Sequence, residues 1–520
     1  MKNLILLVFL CFSNSFVKSQ LLCEWGDYNE FAQSYFMDVA VDNAGFTYVS
    51  GYFGGQIQVG TNTVYAESYP DGYIMKYSQN GDRLWVTSFS SSDNVFTFEM
   101  DVDNAGNTTI YGKFRSNLSV DGVTITASSS SSENGFVAQL NPDGDLNWIK
   151  NITSSSANYW ARYLEVDDSG NVLFENYNTS TIDGFTNYGH YTLTKLDPLG
   201  NVLWRYDKEL FGGSNYKSNL IAEFNNGYVI AGHINDTTVI AGTTIYPTND
   251  TIIDPYNDTT LLLKPETVLI FLDNDGNETD VRIIEGSEVI SIYALYATDS
   301  ILYVSGRGNG LLTNGSQQVN TPSWMNFLTA YDTTLNPLFL ETSVPFENRG
   351  LYANESHIYT VGAKGGGYME KFDTQGILQD TLAISSYIQD IRGYNDGKVV
   401  IVGISSASLN TCGFTMNPEN GFGGYVLKLD EKIVNQEEFD NHVQNILVYP
   451  NPTHTNLTVK TPFETGSIEL LTLEGRSLFE LDSENMISTQ IDCSEYNSGV
   501  YILKITDNKS NFYCRRIIVK

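Results

Sequence analysis

The residues of this chain best placed for chemistry are acidic. DNDGNETD sets Asp273, Asp275 and Asp280 around a glycine, an alternation in which oxygen ligands can close on a calcium ion. The stretch lacks the full loop spacing and the closing bidentate Glu. It also falls where the other repeats have a plain hairpin turn, so a turn without metal is expected, and DVDNAG at Asp101 reads the same way. The five histidines, His190, His233, His357, His442 and His454, form no His-x-x-x-His or His-Glu pair suited to zinc. No Gly-x-Ser-x-Gly elbow or phosphate-cradling glycine loop is present, and GGG at Gly365 to Gly367 reads as a hairpin connection. No catalytic residue, resident metal or cofactor is expected. Tyrosines and carboxylates on loops could still bind sugar or peptide by stacking and hydrogen bonding.

The elements that would carry such loops repeat along the chain. DVAVDNAGFTYVSGYF from Asp38, EMDVDNAGNTTIYGKF from Glu99 and LEVDDSGNVLFENY from Leu164 each read as an alternating strand, an Asp-x-x-Gly turn and a second strand. A second hairpin follows each: YIMKYSQNGDRLW from Tyr73, FVAQLNPDGDLNW from Phe136 and TLTKLDPLGNVLW from Thr192. Each of these turns at a glycine (Gly81, Gly144, Gly200) and closes on a tryptophan (Trp85, Trp148, Trp204). Weaker copies continue from Val268, Phe327, Tyr368 and Tyr425, which makes seven. Four strands per copy, repeated at roughly 40–75 residues, is the pattern of propeller blades. One twisted sheet cannot bury both faces alone, whereas a ring of them can. The tryptophans are expected to pack between blades.

The early copies resemble the bacterial β-propeller repeat family, whose units read like VAVDSAGNVYVTG followed by AFVAKLDPNGNLLW. The resemblance covers about Tyr35 to Arg205 and implies architecture rather than chemistry. The turns before the tryptophans also resemble the Asp-x-x-x-Gly-x-x-x-Trp motifs of pyrroloquinoline quinone dehydrogenases. The usual Thr-Gly pair and an identifiable ligand set are missing, so no quinone is expected. The mature N-terminus, LLCEWGDYNEF, resembles the Trp-bearing fourth strands, and the last copy lacks one. Leu21 to Trp25 is therefore expected to pair with the strand Tyr425 to Leu429 and close the circle.

Lys+Arg 29 against Asp+Glu 61 gives a formal charge of −32, which repels nucleic acid and anionic membranes. An aromatic content of 13% argues against disorder. Lys2 and the apolar run Leu4 to Phe12 read as an export signal cleaved after Ser19, and the run is too short to span a bilayer. No later stretch reads as a transmembrane segment. Cys23, Cys412, Cys493 and Cys514 remain after cleavage. Cys493 and Cys514 could pair, although buried free thiols are the expected state. Asp-Thr-Thr at Asp236, Asp258 and Asp332 resembles the O-glycosylation signal of the Bacteroidetes.

The last stretch carries the most specific pattern. After an acidic linker (NQEEFDN, Asn435 to Asn441) come VYPNPT at Val448, GSIELLTLEGRSLF at Gly466, IDCS at Ile491, NSGVYILKI at Asn497 and RRIIVK at Arg515. In this order the motifs resemble the C-terminal sorting domain of the type IX secretion system. Cys493 stands where that family usually has an apolar residue. The positions that carry the resemblance are Tyr449, Pro450, Asn451, Pro452, Gly475, Gly499, Tyr501, Arg515, Arg516 and Lys520. The resemblance implies a Bacteroidetes source, the type IX machinery and its sortase as partners, and release or attachment to surface lipopolysaccharide.

The expected fold is all-β: a seven-bladed β-propeller followed by a small C-terminal β-sandwich. The boundaries are 1–19 signal peptide, 20–434 propeller, 435–441 linker and 442–520 sorting domain. The expected role is a secreted or cell-surface binding or adhesion scaffold for an unknown glycan or protein. The alternative is a secreted enzyme acting on glycans or a small oxidisable substrate. A convergent carboxylate or metal cluster at a central channel would favour the enzyme, and an aromatic, polar shelf would favour binding.

Overall fold

The computed structural model describes residues 21–29, 33–129, 132–154, 161–176, 179–188, 191–208, 220–250, 262–288, 290–411, 414–418, 422–431, 447–472, 477–494, 496–497, 499–507 and 512–520. The export signal, the linker, Gly475, Cys412, His190 and His442 lie outside them. The described residues are all-β, with no helix. The chain divides into two compact units, Met1–Glu431 and Lys432–Lys520.

In the first unit the described strands form seven four-stranded antiparallel sets. The first is Gln33–Val41, Thr47–Gly54, Asp71–Tyr77 and Arg83–Phe89. The innermost strands of the next five sets are Val95–Val102, Ala161–Val166, Ile221–Glu223, Ser291–Ala297 and Glu347–Ala353. The seventh set is Tyr387–Gly393, Val399–Ser405 and Gly423–Glu431, completed by Leu21–Tyr28. The expected closing pairing is present: Cys23 lies opposite Leu429, and Trp25 opposite Lys428. Two sets share an edge, because Glu285 of the fourth pairs with Thr313 of the fifth.

Local chemistry explains the repeated turn. Asp103 Oδ1 accepts the N–H groups of Ala105 (2.9 Å) and Asn107 (2.8 Å), and Gly106 then takes a φ of 83° that a β-carbon would oppose. Asp42, Asp167, Asp197, Asp273 and Asp373 repeat the device.

Packing between sets also repeats. Trp25, Trp85, Trp148 and Trp204 each lie on the turn glycine of the following set, Gly81, Gly144, Gly200 and Gly276. Each indole N–H donates to a carbonyl of that turn: Gln79 (3.0 Å), Pro142 (3.0 Å), Pro198 (3.0 Å) and Asn274 (2.8 Å). Phe339 lies on Gly376 in the same way. Apolar clusters fill the gaps between neighbouring sets, and one joins Val400, Val402 and Val426 of the seventh to Phe36, Val39 and Tyr73 of the first. Fully burying each such side chain contributes about 1.5–3 kcal/mol. Cys23 is disulfide-bonded, with Sγ 3.8 Å from the carbonyl oxygen of Thr411.

The second unit is a five-stranded antiparallel assembly of Leu447–Tyr449, Asn456–Leu471, Ser477–Asp492, Gly499–Asp507 and Phe512–Val519. Its core contains Leu457, Val459, Ile468, Leu470, Ile491, Cys493, Leu503, Ile505, Ile517 and Val519. Cys493 is a buried free thiol, filling the apolar position with its small side chain.

Candidate functional site

The innermost strands of all seven sets border one cavity of about 180 Å³. Asp101, Glu165, Glu223, Tyr296, Tyr352 and Arg392 give it its chemistry. Six of the seven innermost strands carry a register irregularity, at Phe36/Asp38, Thr97/Glu99, Ala161/Leu164, Ile292/Ala294, Asn348/Gly350 and Ile388/Asp390. Such bulges re-aim side chains. Tyr296 meets Tyr352 edge-on at 5.2 Å between centroids. Gly393 makes room for that ring, since a β-carbon there would lie 1.8 Å from it.

The carboxylates tie one set to the next. Asp38 accepts the N–H of Met100 at 2.6 Å, Asp101 that of Val166 at 2.8 Å, and Glu223 that of Asp168 at 2.9 Å. Arg392 donates to Asp390 at 3.0 Å and to the carbonyl of Ile391 at 2.9 Å. Burial pushes the Asp101 carboxyl up to about 6, against the lowering effect of the Val166 N–H and Arg392. Burial, then the Asp101 charge, drives Glu165 well above the carboxylate range. Burial also raises Glu223. Arg392 is held charged: burial opposes this, and the carboxylates of Asp390, Asp38, Asp101 and Glu165 outweigh it.

A pH dependence follows. Asp101 binds its proton more tightly folded than unfolded, where a carboxyl titrates at about 3.9. Its contribution to stability is full below that value and is lost as pH rises through about 6. Melting temperature should therefore rise on acidification from pH ~7 to ~5. Asp101→Asn, which keeps an acceptor for Val166, should flatten that rise in a thermal melt series.

At the opposite ends of the innermost strands lies an aromatic row. Tyr35 stacks on Tyr52 (4.6 Å) and on Phe422 (6.0 Å); Tyr52 meets Phe96 edge-on (5.2 Å), and Phe96 stacks with Phe98 (6.3 Å). Lys113 lies over Phe96 (5.4 Å) and Phe98 (5.9 Å) and pairs with Glu133 at 2.9 Å. Arg349 lies over the exposed Tyr387 ring at 5.7 Å.

The residues singled out from sequence divide into two groups. Asp273, Asp275 and Asp280 do not gather around a common point. Asp273 holds its own turn through the N–H groups of Asp275 (3.0 Å) and Asn277 (2.8 Å), and Asp280 pairs with Arg282. Among the described residues no group of three or more His, Cys, Asp or Glu could hold a metal ion. Asp101 is not part of a turn, as its DVDNAG context suggested. It ends a strand and lines the cavity, while Asp103 makes the turn.

The tail residues do come together. Asn451 accepts the N–H of Ile518 at 2.9 Å, and Thr453 exchanges backbone hydrogen bonds with Ile518 and Lys520, both at 2.9 Å. Pro450 and Pro452 follow cis peptide bonds. Gly499 lies opposite Val519, Tyr501 opposite Ile517, and the backbones of Leu503 and Ile502 opposite Arg515 and Arg516. The Tyr501 hydroxyl donates to the Asn497 carbonyl at 2.6 Å, and Tyr449 is exposed beneath Lys460 at 5.8 Å. The VYPNPT motif thus clamps the strand that carries the basic residues.

The molecule so defined is an all-β protein of repeated antiparallel sheets, followed along the chain by a separate small β unit. Residues 447–520 match the family described as the secretion system C-terminal sorting domain. The chain is accordingly a secreted protein destined for the outer cell surface, and its tail implies export by type IX secretion. No curated protein matches the chain.

Among solved structures, BamB from Moraxella catarrhalis aligns at 13% identity over 72% of this chain and 95% of its own, with a TM-score of 0.36. Raptor from Chaetomium thermophilum aligns at 8% identity over 80% of this chain and 29% of its own, with a TM-score of 0.42. PorZ of Porphyromonas gingivalis, described as an essential bacterial surface component of the type-IX secretion system, aligns at 10% identity. That alignment covers 93% of this chain and 81% of PorZ, with a TM-score of 0.24.

Proposed function

We propose that this chain is a seven-bladed β-propeller, spanning 20–434, that is delivered to the cell surface by a sorting tail spanning 442–520 and acts there as a binding or adhesion scaffold. The sortase and surface lipopolysaccharide are its expected partners during attachment. The observation that carries the binding role is the aromatic row Phe422–Tyr35–Tyr52–Phe96–Phe98 at one end of the innermost strands. Large rigid rings with partly exposed faces give contact area at low entropic cost, and Lys113 adds a polar handle. Glycan and peptide arrays probed with the purified chain test the reading. A reproducible ligand class should appear, and Tyr52→Ala with Phe422→Ala should weaken it at least about tenfold, as loss of central aromatic anchors does. Arrays that stay blank, or binding indifferent to both changes, would sink the idea.

The cavity carboxylates favour a second reading, that of an enzyme. Asp101 and Glu165 have pKa values displaced upward beside a guanidinium, as acid–base pairs do. Against it, Asp101 and Glu223 each spend an oxygen on the backbone N–H of the neighbouring set. Turnover of a polysaccharide or small alcohol, abolished by Glu165→Gln in a normally folded chain, would establish it.

A further inference from the structure

The strand Leu21–Tyr28 reaches the seventh set from the opposite end of the first unit's sequence, so that set is complete only while this strand stays paired. Its ladder runs along one neighbour alone, Gly423–Glu431. Edge strands near a chain terminus open most readily. Side chains add hold. Glu24 pairs with Lys398 at 2.9 Å and Lys428 at 3.4 Å within the seventh set, and Asp27 pairs with Arg83 of the first at 2.6 Å.

A short hairpin also lies on the strand. Leu409–Thr411 pairs with Phe414–Met416, Leu409 opposite Met416 and Thr411 opposite Phe414. Leu409 and Met416 are buried in an apolar cluster on which Cys23, Tyr28 and Phe414 pack. Phe414 meets Tyr28 edge-on at 6.1 Å between centroids. Gly26 makes room for it, since a β-carbon there would lie 2.6 Å from the Phe414 ring. Toward the start of the strand, the Thr411 carbonyl oxygen is 3.8 Å from Cys23 Sγ. The hairpin thus touches the closing strand at two places, through Phe414 and through Thr411.

Cys23 is disulfide-bonded, and the chain offers Cys11, Cys412, Cys493 and Cys514 as partners. Cys11 belongs to the expected export signal, and Cys493 is a buried free thiol. Cys514 belongs to the strand Phe512–Val519 of the second unit. Cys412 itself lies outside the described residues, but it follows Thr411 directly, and neighbouring Cα atoms are only about 3.8 Å apart. A cysteine at that position is within disulfide reach of Cys23. We propose that Cys23 and Cys412 form a redox-sensitive latch, a disulfide that fastens the closing strand to the hairpin of its own set. Two thiols give up two protons and two electrons as the S–S bond forms. The electrons go to an oxidised thiol–disulfide oxidoreductase, whose own disulfide becomes a dithiol. Such oxidants work outside the cytoplasm, on the route of a secreted chain. The bond encloses nearly the whole first unit in one covalent loop, which restricts the unfolded chain and keeps the strand from leaving its place. Reduction leaves the ladder and the ion pairs of Glu24 and Asp27, and lets the strand open.

Digestion of the exported full chain without reductant, read by mass spectrometry, tests the bond directly. A linked pair of peptides bearing Cys23 and Cys412 is expected, and reductant should separate it. Cys23→Ser and Cys412→Ser should each lower the melting temperature by roughly 5 °C. The double variant should fall no further than either, because all three lose the same bond. Hydrogen exchange should quicken in Leu21–Tyr28 on reduction, while Val95–Val102 keeps its protection. If Cys23→Ser does not fold, reduction of the unaltered chain carries the same comparison. The proposal fails if Cys23 is found bonded to Cys514 or to a second chain, or is a free thiol in the exported protein. It also fails if the effects of the two serine substitutions add, or if reduction leaves exchange in Leu21–Tyr28 unchanged.

Discussion

A chain lacking residues 442–520 will accumulate in the periplasm, with essentially none at the cell surface. The tail unit has its own core, from Leu457 and Val459 to Ile517 and Val519, and its opening motif is hydrogen-bonded to its own Phe512–Val519 strand. It should therefore fold without the body. Moved behind a signal peptide and a fluorescent reporter, 442–520 should carry that reporter outside a Bacteroidetes cell. Fractionation and surface proteolysis read both results. Normal surface amounts of the truncated chain would show that 442–520 is not the export address. A point change gives a finer reading. Asn451→Ala removes the acceptor for the Ile518 N–H, which costs about 1 kcal/mol, and should lower surface yield without affecting the body.

Arg392→Ala will be the most damaging single substitution in the body. It removes the cation facing Asp390, Asp38, Asp101 and Glu165 and leaves those carboxyls buried without compensation. Breaking a buried pair from one side costs about 3–5 kcal/mol, a large share of a typical folding free energy of about 5–15 kcal/mol. Chemical denaturation should show a lower midpoint with little change in slope. Adding Asp101→Asn and Glu165→Gln to Arg392→Ala should recover much of the loss, because neutral amides no longer need the guanidinium. A triple variant no more stable than Arg392→Ala would mean that the arginine acts through packing of its stem and not through charge.

Much of the architecture was readable because it rests on local physics. Alternating side chains, the Asp carboxylate that captures two N–H groups downstream, and the glycine that tolerates positive φ are set within about ten residues. They recur at Asp42, Asp103 and Asp167. The tryptophans were legible as packing residues, although the carbonyls their N–H groups reach lie 50 to 70 positions away. Segment Leu21 to Trp25 was legible as a fourth strand because it repeats the pattern of a hairpin half that its own set lacks. The copy from Phe327 was legible although Leu335, not glycine, takes its turn conformation at a φ of 62°, whereas the disulfide at Cys23 was not legible.

By itself, then, the sequence determined the repeats, their turns and the sorting tail, since each is written in contiguous residues. Only the tertiary structure decided the sites. Asp101, Glu165, Glu223 and Arg392 sit in ordinary strand patterns and come from four different sets, so no spacing announces that they border one cavity. Asn326 and Glu370 look like solvent-facing positions of alternating strands. They are buried because the fifth and sixth sheets close over them, and sheet-on-sheet packing is a contact between faces whose residues share no neighbourhood along the chain.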